Sequence, residues 1–332
     1  MCHHDLVGGR SHGGAVLPPW AGPKARAATA SWPHAEDMSA HIIPNGAVVV
    51  GVDGSPSALQ ALDWAARHAE REQRPLALLH AFRAIDTQAD LWLVRAGADV
   101  AEVVSQVEAE ARTLVEEVAS LVRESHPDLT VTTLLSTADP RQALLELADR
   151  ASLIVLGSRG RGPVRTLLLG STSVAVSSHA TCPVVVVRPH HPGDVRRGVL
   201  VGVDGTDRCR ATLEFAYRQA ALQDLPLTVL HTFWDASALT AVDTSRLTSD
   251  YEADRLLLAE SVSGMGEEYP EVRVQLKLAQ GLPDAALVHA SAKMNLVVVG
   301  RHPEHTRGRG TFGGIARSVV EHAPTIVAVV PD

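Results

Sequence analysis

Val48-Val49-Val50-Gly51-Val52-Asp53-Gly54 returns as Val199-Leu200-Val201-Gly202-Val203-Asp204-Gly205, and that recurrence decides how the rest of the chain is read. A second pair keeps the same offset of 151 positions: Leu78-Leu79-His80-Ala81-Phe82 and Val229-Leu230-His231-Thr232-Phe233. Further on, Ile154-Val155-Leu156-Gly157 returns as Val297-Val298-Val299-Gly300, and His179-Ala180 as His322-Ala323, now 143 positions later. One net deletion of eight residues, between His231 and Pro283, reconciles the two offsets. The chain is one unit made twice.

Within each unit short apolar runs alternate with helical periods. In the first, strands are expected near 47–52, 76–82, 129–135, 152–156 and 183–187, and helices near 57–73, 99–125, 140–150 and 171–180. The second helix shows its period best, with Val107, Ala111, Leu114, Val115, Val118 and Val122 spaced by threes and fours along one apolar stripe. Asp139-Pro140 reads as an N-cap followed by proline at the first helical position. Val184 to Val187 present no polar face, which calls for a parallel sheet covered on both sides. The alternation then gives a doubly wound, Rossmann-like α/β unit, made twice. The expected boundaries are a disordered tail at 1–45, a first domain at 46–189, a linker at 190–197 and a second domain at 198–332. Met38 competes with Met1 as the start.

A length of 332 residues suits about two domains. With 45% hydrophobic and 20% charged residues the chain is globular and too apolar for a disordered protein. A net charge of −8 argues against a non-specific grip on nucleic acid, which draws on clustered cations. Three cysteines without a CxxC fit a reducing compartment, so the expectation is cytoplasmic. Residues 166–187 carry no acid, lysine or arginine, but Gly170, Ser171, Thr172 and Pro183 interrupt them, so no membrane span is expected. No export leader is expected either. The histidines of the tail match no metal-site spacing.

Ligands of such a sheet bind beyond the carboxyl ends of the strands, where strand order reverses. After the fourth strand comes Gly157-Ser158-Arg159-Gly160-Arg161-Gly162, and seven residues later Gly170-Ser171-Thr172. Glycines let amides approach a phosphate and tolerate positive φ, and Gly170-Ser171 opens a helix whose N-terminus attracts anions. Arg159, Arg161 and Arg165 add positive charge, and Ser171 adds a hydroxyl. Read by itself, the segment is equally a Gly/Arg loop ahead of a glycine-started helix. After the first strand, Asp53 in Val52-Asp53-Gly54-Ser55 is either a turn former or a carboxylate that takes ribose hydroxyls or a divalent cation. His80-Ala81, after the second strand, places backbone groups where a base edge would lie, and a lone His there is more often structural than catalytic. No GxGxxG follows the first strand and no GxxxxGK[ST] occurs, which removes the dinucleotide fingerprint and the Walker site. Only three lysines stand among 30 basic residues, and none belongs to a Gly-rich loop.

Each unit resembles a universal stress protein domain, a family marked by G-x2-G-x9-G-[ST] after the fourth strand and an Asp in the turn after the first. The first unit matches in full through Gly157, Gly160, Gly170, Ser171 and Asp53, and the resemblance spans about 47–189 and 198–332. It implies a five-stranded parallel sheet of order 3-2-1-4-5 in each unit. It also implies ATP binding, or AMP or ADP, in the first. Gly157, Gly160, Gly170 and Ser171 would hold ribose and phosphates, with Arg159, Ser55 and Thr172 alongside. Asp53 would sit by the phosphates or a Mg ion, and Val52 and Ala81 would border adenine. Domains of the family usually pair through their last strand, so a tandem chain would form that pair internally, with a homodimer of chains a further option.

The second unit departs from the pattern. Val203, Asp204, Thr232, Gly300 and Gly313 align, but Pro303 stands at the position of Gly160 and Gly314 at that of Ser171. Proline offers no amide and glycine no hydroxyl, so weaker or absent nucleotide binding is expected there. Three functions compete: a nucleotide-binding stress or regulatory protein, a slow ATPase or nucleotide-transferring enzyme, and an interaction module without nucleotide. No catalytic residue is assigned, although His80 and Asp53 are the groups an enzyme would use.

Overall fold

The computed structural model describes residues 43–82, 99–160, 169–189, 197–233, 247–301 and 314–332. The first half runs β1 (Ala47–Gly51), α1 (Pro56–Arg71), β2 (Leu76–Ala81), α2 (Val100–Ser125), β3 (Val131–Ser136), α3 (Pro140–Leu147), β4 (Ala151–Gly157), α4 (Ser171–His179) and β5 (Val184–Val187). The second half runs β6 (Val199–Val203), α5 (Arg210–Leu222), β7 (Leu227–Phe233), α6 (Leu247–Ser261), α7 (Met265–Glu268), β8 (Val274–Gln280), α8 (Pro283–Ser291), β9 (Leu296–Arg301), α9 (Gly314–His322) and β10 (Ile326–Pro331). The fold is α/β, as the alternation requires.

Caps account for several helix starts. Ser55 and Asp139 accept hydrogen bonds from Ala58 and Arg141 amides, each with proline next in line, while Asp99 takes the amides of Ala101 and Glu102. α3 stops at Leu147, short of the expected 150, because Ala148 and Arg150 donate to the carbonyls of Leu145 and Leu147 and tighten the chain into a turn. The chain leaves α1 and α5 through Gln73 (φ 52°) and Asp224 (φ 49°), left-handed residues that share the repeat offset of 151.

Among the described residues ten strands form one sheet of order β3-β2-β1-β4-β5-β10-β9-β6-β7-β8. Each half has the order 3-2-1-4-5 expected for it. All neighbours are parallel except β5 and β10, which run antiparallel with Val184, Val185 and Val186 opposite Val329, Ala328 and Val327. Alternate residues face opposite sides and both sides are buried. Val48, Val50, Val155, Val201 and Val298 face one layer with α1, α2 and α5, and Val49, Ile154 and Leu156 face α3 and α4. Val186 packs in the layer of the second half with Val297 and Val327, so the seam is apolar as well as hydrogen-bonded. Ile43, 2% exposed, shares a core cluster with Ala47 and Val49. The rest of the expected tail, and 190–196 of the expected linker, lie outside the described residues. No helix of the described residues is long and apolar enough to cross a membrane.

A polar cluster also crosses the seam. The Glu72 carboxylate, 6% exposed, accepts from Arg74 Nε at 2.8 Å and from Arg218 of α5 at 2.6 Å, and His68 Nε2 lies 3.5 Å away. Trp64 stacks on His68 with centroids 4.9 Å apart. Burial pushes His68 down to about 4, against the pull of Glu72 and with help from Arg218, Arg71 and Arg74. A base whose folded pKa is lowered favours the fold while neutral, so this contribution is complete above about pH 6.5 and is lost as pH falls towards 4. Its upper bound is about 3 kcal/mol. Urea midpoints measured from pH 7 to 4.5 are expected to fall, and to fall less steeply in His68→Phe; equal slopes would refute the assignment to His68.

Candidate functional site

Strand order reverses between β1 and β4, so the carboxyl ends of these two strands open a crevice. The chain turns out of β1 through Gly54 at φ +74°, a left-handed value that suits glycine. That turn places the Asp53 carboxylate, half-buried, where Oδ1 accepts from the Ser55 amide at 2.9 Å. Ser55 caps α1 and donates from its hydroxyl to the Arg159 carbonyl at 3.4 Å, while the Arg159 amide donates to Ser57 Oγ at 3.3 Å. The loop after β4 is therefore stitched to the start of α1.

It is stitched to α4 as well. The Gly170 amide donates to the Ser158 carbonyl at 2.8 Å, and Ser173 Oγ donates to the Gly157 carbonyl at 2.8 Å. Asp53, Ser55, Gly157, Arg159, Gly160 and Gly170 are brought together. Arg161 and Arg165 lie outside the described residues. Ser57 and Ser173 hold the loop yet escape a motif search; the signal for Ser57 was the Ser55-Pro56-Ser57 helix start.

Glycine was open to two reasons at these positions, and the geometry selects one. Gly157, Gly160 and Gly170 all lie outside the positive-φ set. A Cβ on Gly157 would stand 2.7 Å from the Ser57 carbonyl carbon and oxygen, and one on Gly160 would stand 2.6 Å from Asp53 Oδ2. At Gly157 the backbone of α1 passes too close for a side chain, whereas at Gly160 the neighbour is the tip of the Asp53 side chain. Gly170 differs: among the described residues a Cβ there meets nothing nearer than the Ser158 carbonyl oxygen at 3.6 Å, an ordinary contact. As N-cap of α4 it provides no side-chain hydrogen bond, leaving the first-turn amides of Thr172 and Ser173 without that closure. Ser171 is exposed and Thr172 half-buried.

Val52, 3% exposed, donates to the Leu79 carbonyl at 2.9 Å, and its own carbonyl meets His80 Nδ1 at 2.6 Å. His80 is 7% exposed and stacks with Phe82, so it has the packing of a structural histidine. Ala81 ends β2, half-buried against the layer of α3. Beside it a hollow of about 570 Å³ is lined by His80, Phe82, Gln106, Glu110 and Leu114.

In the second half the corresponding carboxylate is taken up by its own turn. Asp204 Oδ1 accepts from the Thr206 amide at 2.9 Å, the Thr206 hydroxyl at 2.7 Å and the Cys209 thiol at 2.9 Å. Burial, with the nearby Asp204 carboxylate, pushes Cys209 up to about 12, so the thiol keeps its proton and donates. Gly205, at φ +81°, lies under Leu257 of α6: a Cβ would stand 1.9 Å from Leu257 Cδ2. The hollow there is smaller, about 280 Å³, and Leu257 lines it. Val203 is buried, Thr232 and Gly300 are half-buried at strand ends, and Gly314 opens α9. Gly313, Pro303 and the stretch Arg307 to Gly310 lie outside the described residues.

Two doubly wound α/β units joined in one sheet, each with a glycine-bearing turn at its carboxyl edge, define a tandem protein of the Rossmann-like α/β class. The universal stress protein family model matches residues 45–188 and 196–331, and the chain belongs to that family. A universal stress protein of Mycolicibacterium smegmatis is 32% identical over 294 residues, covering 85% of this chain and 96% of that protein. Universal stress protein Rv2005c of Mycobacterium tuberculosis is 32% identical over 292 residues, covering 86% and 95%. The crystal structure of a universal stress protein from Archaeoglobus fulgidus superposes with a TM-score of 0.62 over 86% of this chain and 98% of that one, at 17% identity, a likeness of fold.

Proposed function

We propose that the chain is a regulatory, stress-response protein that binds one adenine nucleotide, ATP in preference to AMP or ADP, in its first half. The observation that supports this most is at Gly170. Among the described residues, backbone packing demands the absence of a side chain at Gly157 but not at Gly170, which adjoins the start of α4, a helix without a side-chain cap. An anion there would meet amides and a favourable helix dipole. In this reading Gly157, Gly160, Gly170, Ser171 and Thr172 hold ribose and phosphates, and Arg159 adds charge without a Walker lysine. Val52 and Ala81 border the base. Asp53, near Gly160, accepts ribose hydroxyls or supplies an oxygen ligand to Mg, which suits a hard cation. Ser55 keeps the turn in place.

The second half serves as the structural partner. Its Asp204 is engaged by Thr206 and Cys209, and Leu257 covers Gly205. The antiparallel ladder of β5 and β10 supports an internal pairing of the two domains. We place the protein in the cytoplasm, consistent with Cys182 and Cys209 both being free thiols.

Mass spectrometry of small molecules released by denaturing the freshly purified protein is expected to find an adenine nucleotide. Gly170→Ala separates ligand space from folding: its unfolding free energy, from urea titration, should stay within about 0.5 kcal/mol of the native value, because among the described residues the new methyl meets only ordinary contacts. Its ATP affinity should fall tenfold or more. Unchanged affinity would show that nothing binds against Gly170.

A further inference from the structure

Arg188 follows directly on Val187, whose carbonyl accepts the Ser158 amide at the head of the β4 loop, at 2.9 Å. The side chain leaves the first half and reaches across the seam. Its Nη2 donates to the carbonyls of Val320 and of Glu321, the latter at 2.8 Å, in the last turn of α9. Those are among the carbonyls a helix leaves without intrahelical partners, at the negative end of its dipole. The Nε of the same guanidinium is buried and has no hydrogen-bond partner among the described residues. Arg159, on the β4 loop, is close enough that its charge, after burial, holds Arg188 below its ordinary value. Arg159 and Arg188 thus both adjoin the Ser158–Val187 hydrogen bond at the head of the β4 loop, and Arg188 is anchored on the other domain.

We propose that Arg188 is a positioning residue that couples the anion site of the first half to the last turn of α9 in the second. The proposal rests on the nucleotide reading above for its ligand, but its electrostatics stand on the two arginines. Without an anion, Arg159 repels Arg188 and weakens its hold on α9. An anion held by Arg159 also attracts Arg188 in its anchored position, so phosphate binding tightens the last turn of α9. By linkage, releasing Arg188 from α9 lowers affinity for the anion by the same factor.

The experiment is amide hydrogen exchange of residues 314–323, with and without saturating ATP, on the full chain and three variants. In the native chain ATP is expected to slow exchange in the last turn of α9 by threefold or more. Arg159→Gln, measured without nucleotide, is expected to slow the same amides by itself, because the repelling charge is gone. Arg188→Met should lose the ATP-dependent difference, whereas a purely structural arginine would shift both states and keep the difference. Arg188→Lys should restore part of it. If ATP binds and α9 exchange does not respond, the coupling is wrong and the nucleotide reading survives. If ATP does not bind but Arg159→Gln still protects α9, the nucleotide reading fails while the arginine coupling stands. No protection in Arg159→Gln overturns the coupling whatever ATP does.

Discussion

Gly157→Ala is expected to cost a hundredfold or more in ATP affinity, together with about 2–3 kcal/mol of stability. The added Cβ would stand 2.7 Å from the carbonyl carbon and oxygen of Ser57, and neither can rotate away as a side-chain tip would. Ser57 lies in the first turn of α1, and its hydroxyl accepts the Arg159 amide. Relief therefore requires α1 and the β4 loop to move apart. That movement stretches the contacts that bring Asp53, Ser55 and Arg159 together, so binding suffers beyond the loss of stability. Comparison with Gly170→Ala separates the two effects, since that variant alters ligand space alone. The pair is checked by urea unfolding and by ATP titration at a temperature where both variants are folded. A Gly157→Ala chain that binds ATP as the native chain does would refute the loop geometry.

Gly198→Ala is expected to be the more destabilising of the glycine variants, by about 3 kcal/mol or more, with ATP affinity unchanged while the chain is folded. Its φ of +125° is a region that L side chains rarely adopt, and a Cβ would stand 2.2 Å from the Pro226 carbonyl oxygen. That oxygen is not free to move, because it accepts the Val199 amide at 2.9 Å. Gly198 is held on its other side by Asn295, through Asn295 Oδ1 to the Gly198 amide and the Asn295 amide to the Gly198 carbonyl. The strain falls at the entry to β6, in the second half. Urea unfolding gives the stability, and a coupled loss of ATP affinity in the folded variant would contradict the assignment of the ligand to the first half.

The elements were legible because the chain states its pattern twice. A valine run such as Val184–Val187 has no polar face to offer water, so burial on both sides follows from composition, and Asp139-Pro140 marks a helix start by chemistry alone. The reasons for individual glycines were not legible. Gly54, Gly157 and Gly170 are the same letter, yet one has positive φ, one meets a backbone carbonyl and one makes only ordinary contacts among the described residues, and only the fold separates them. Long-range events were hidden for a similar cause. Leu257 over Gly205, and Arg188 on the end of α9, join positions far apart in sequence whose residue types are ordinary for a helix and a strand end. Cys209 belongs to no CxxC, and its role in holding Asp204 follows from a short turn that places it there.

The asymmetry of the two halves is the centre of the account. The first half combines Asp53 with Gly160 against its carboxylate, a Gly157 packed on the α1 backbone, and a Gly170 where a methyl group meets only ordinary contacts among the described residues. In the second, Thr206 and Cys209 occupy Asp204, and Leu257 lies on Gly205. Isothermal titration of the nucleotide-stripped full chain with ATP and Mg tests this most directly. One ATP per chain, lost in Gly157→Ala and retained in Asp204→Ala, is the predicted result; two equally tight sites per chain, or none, would contradict it.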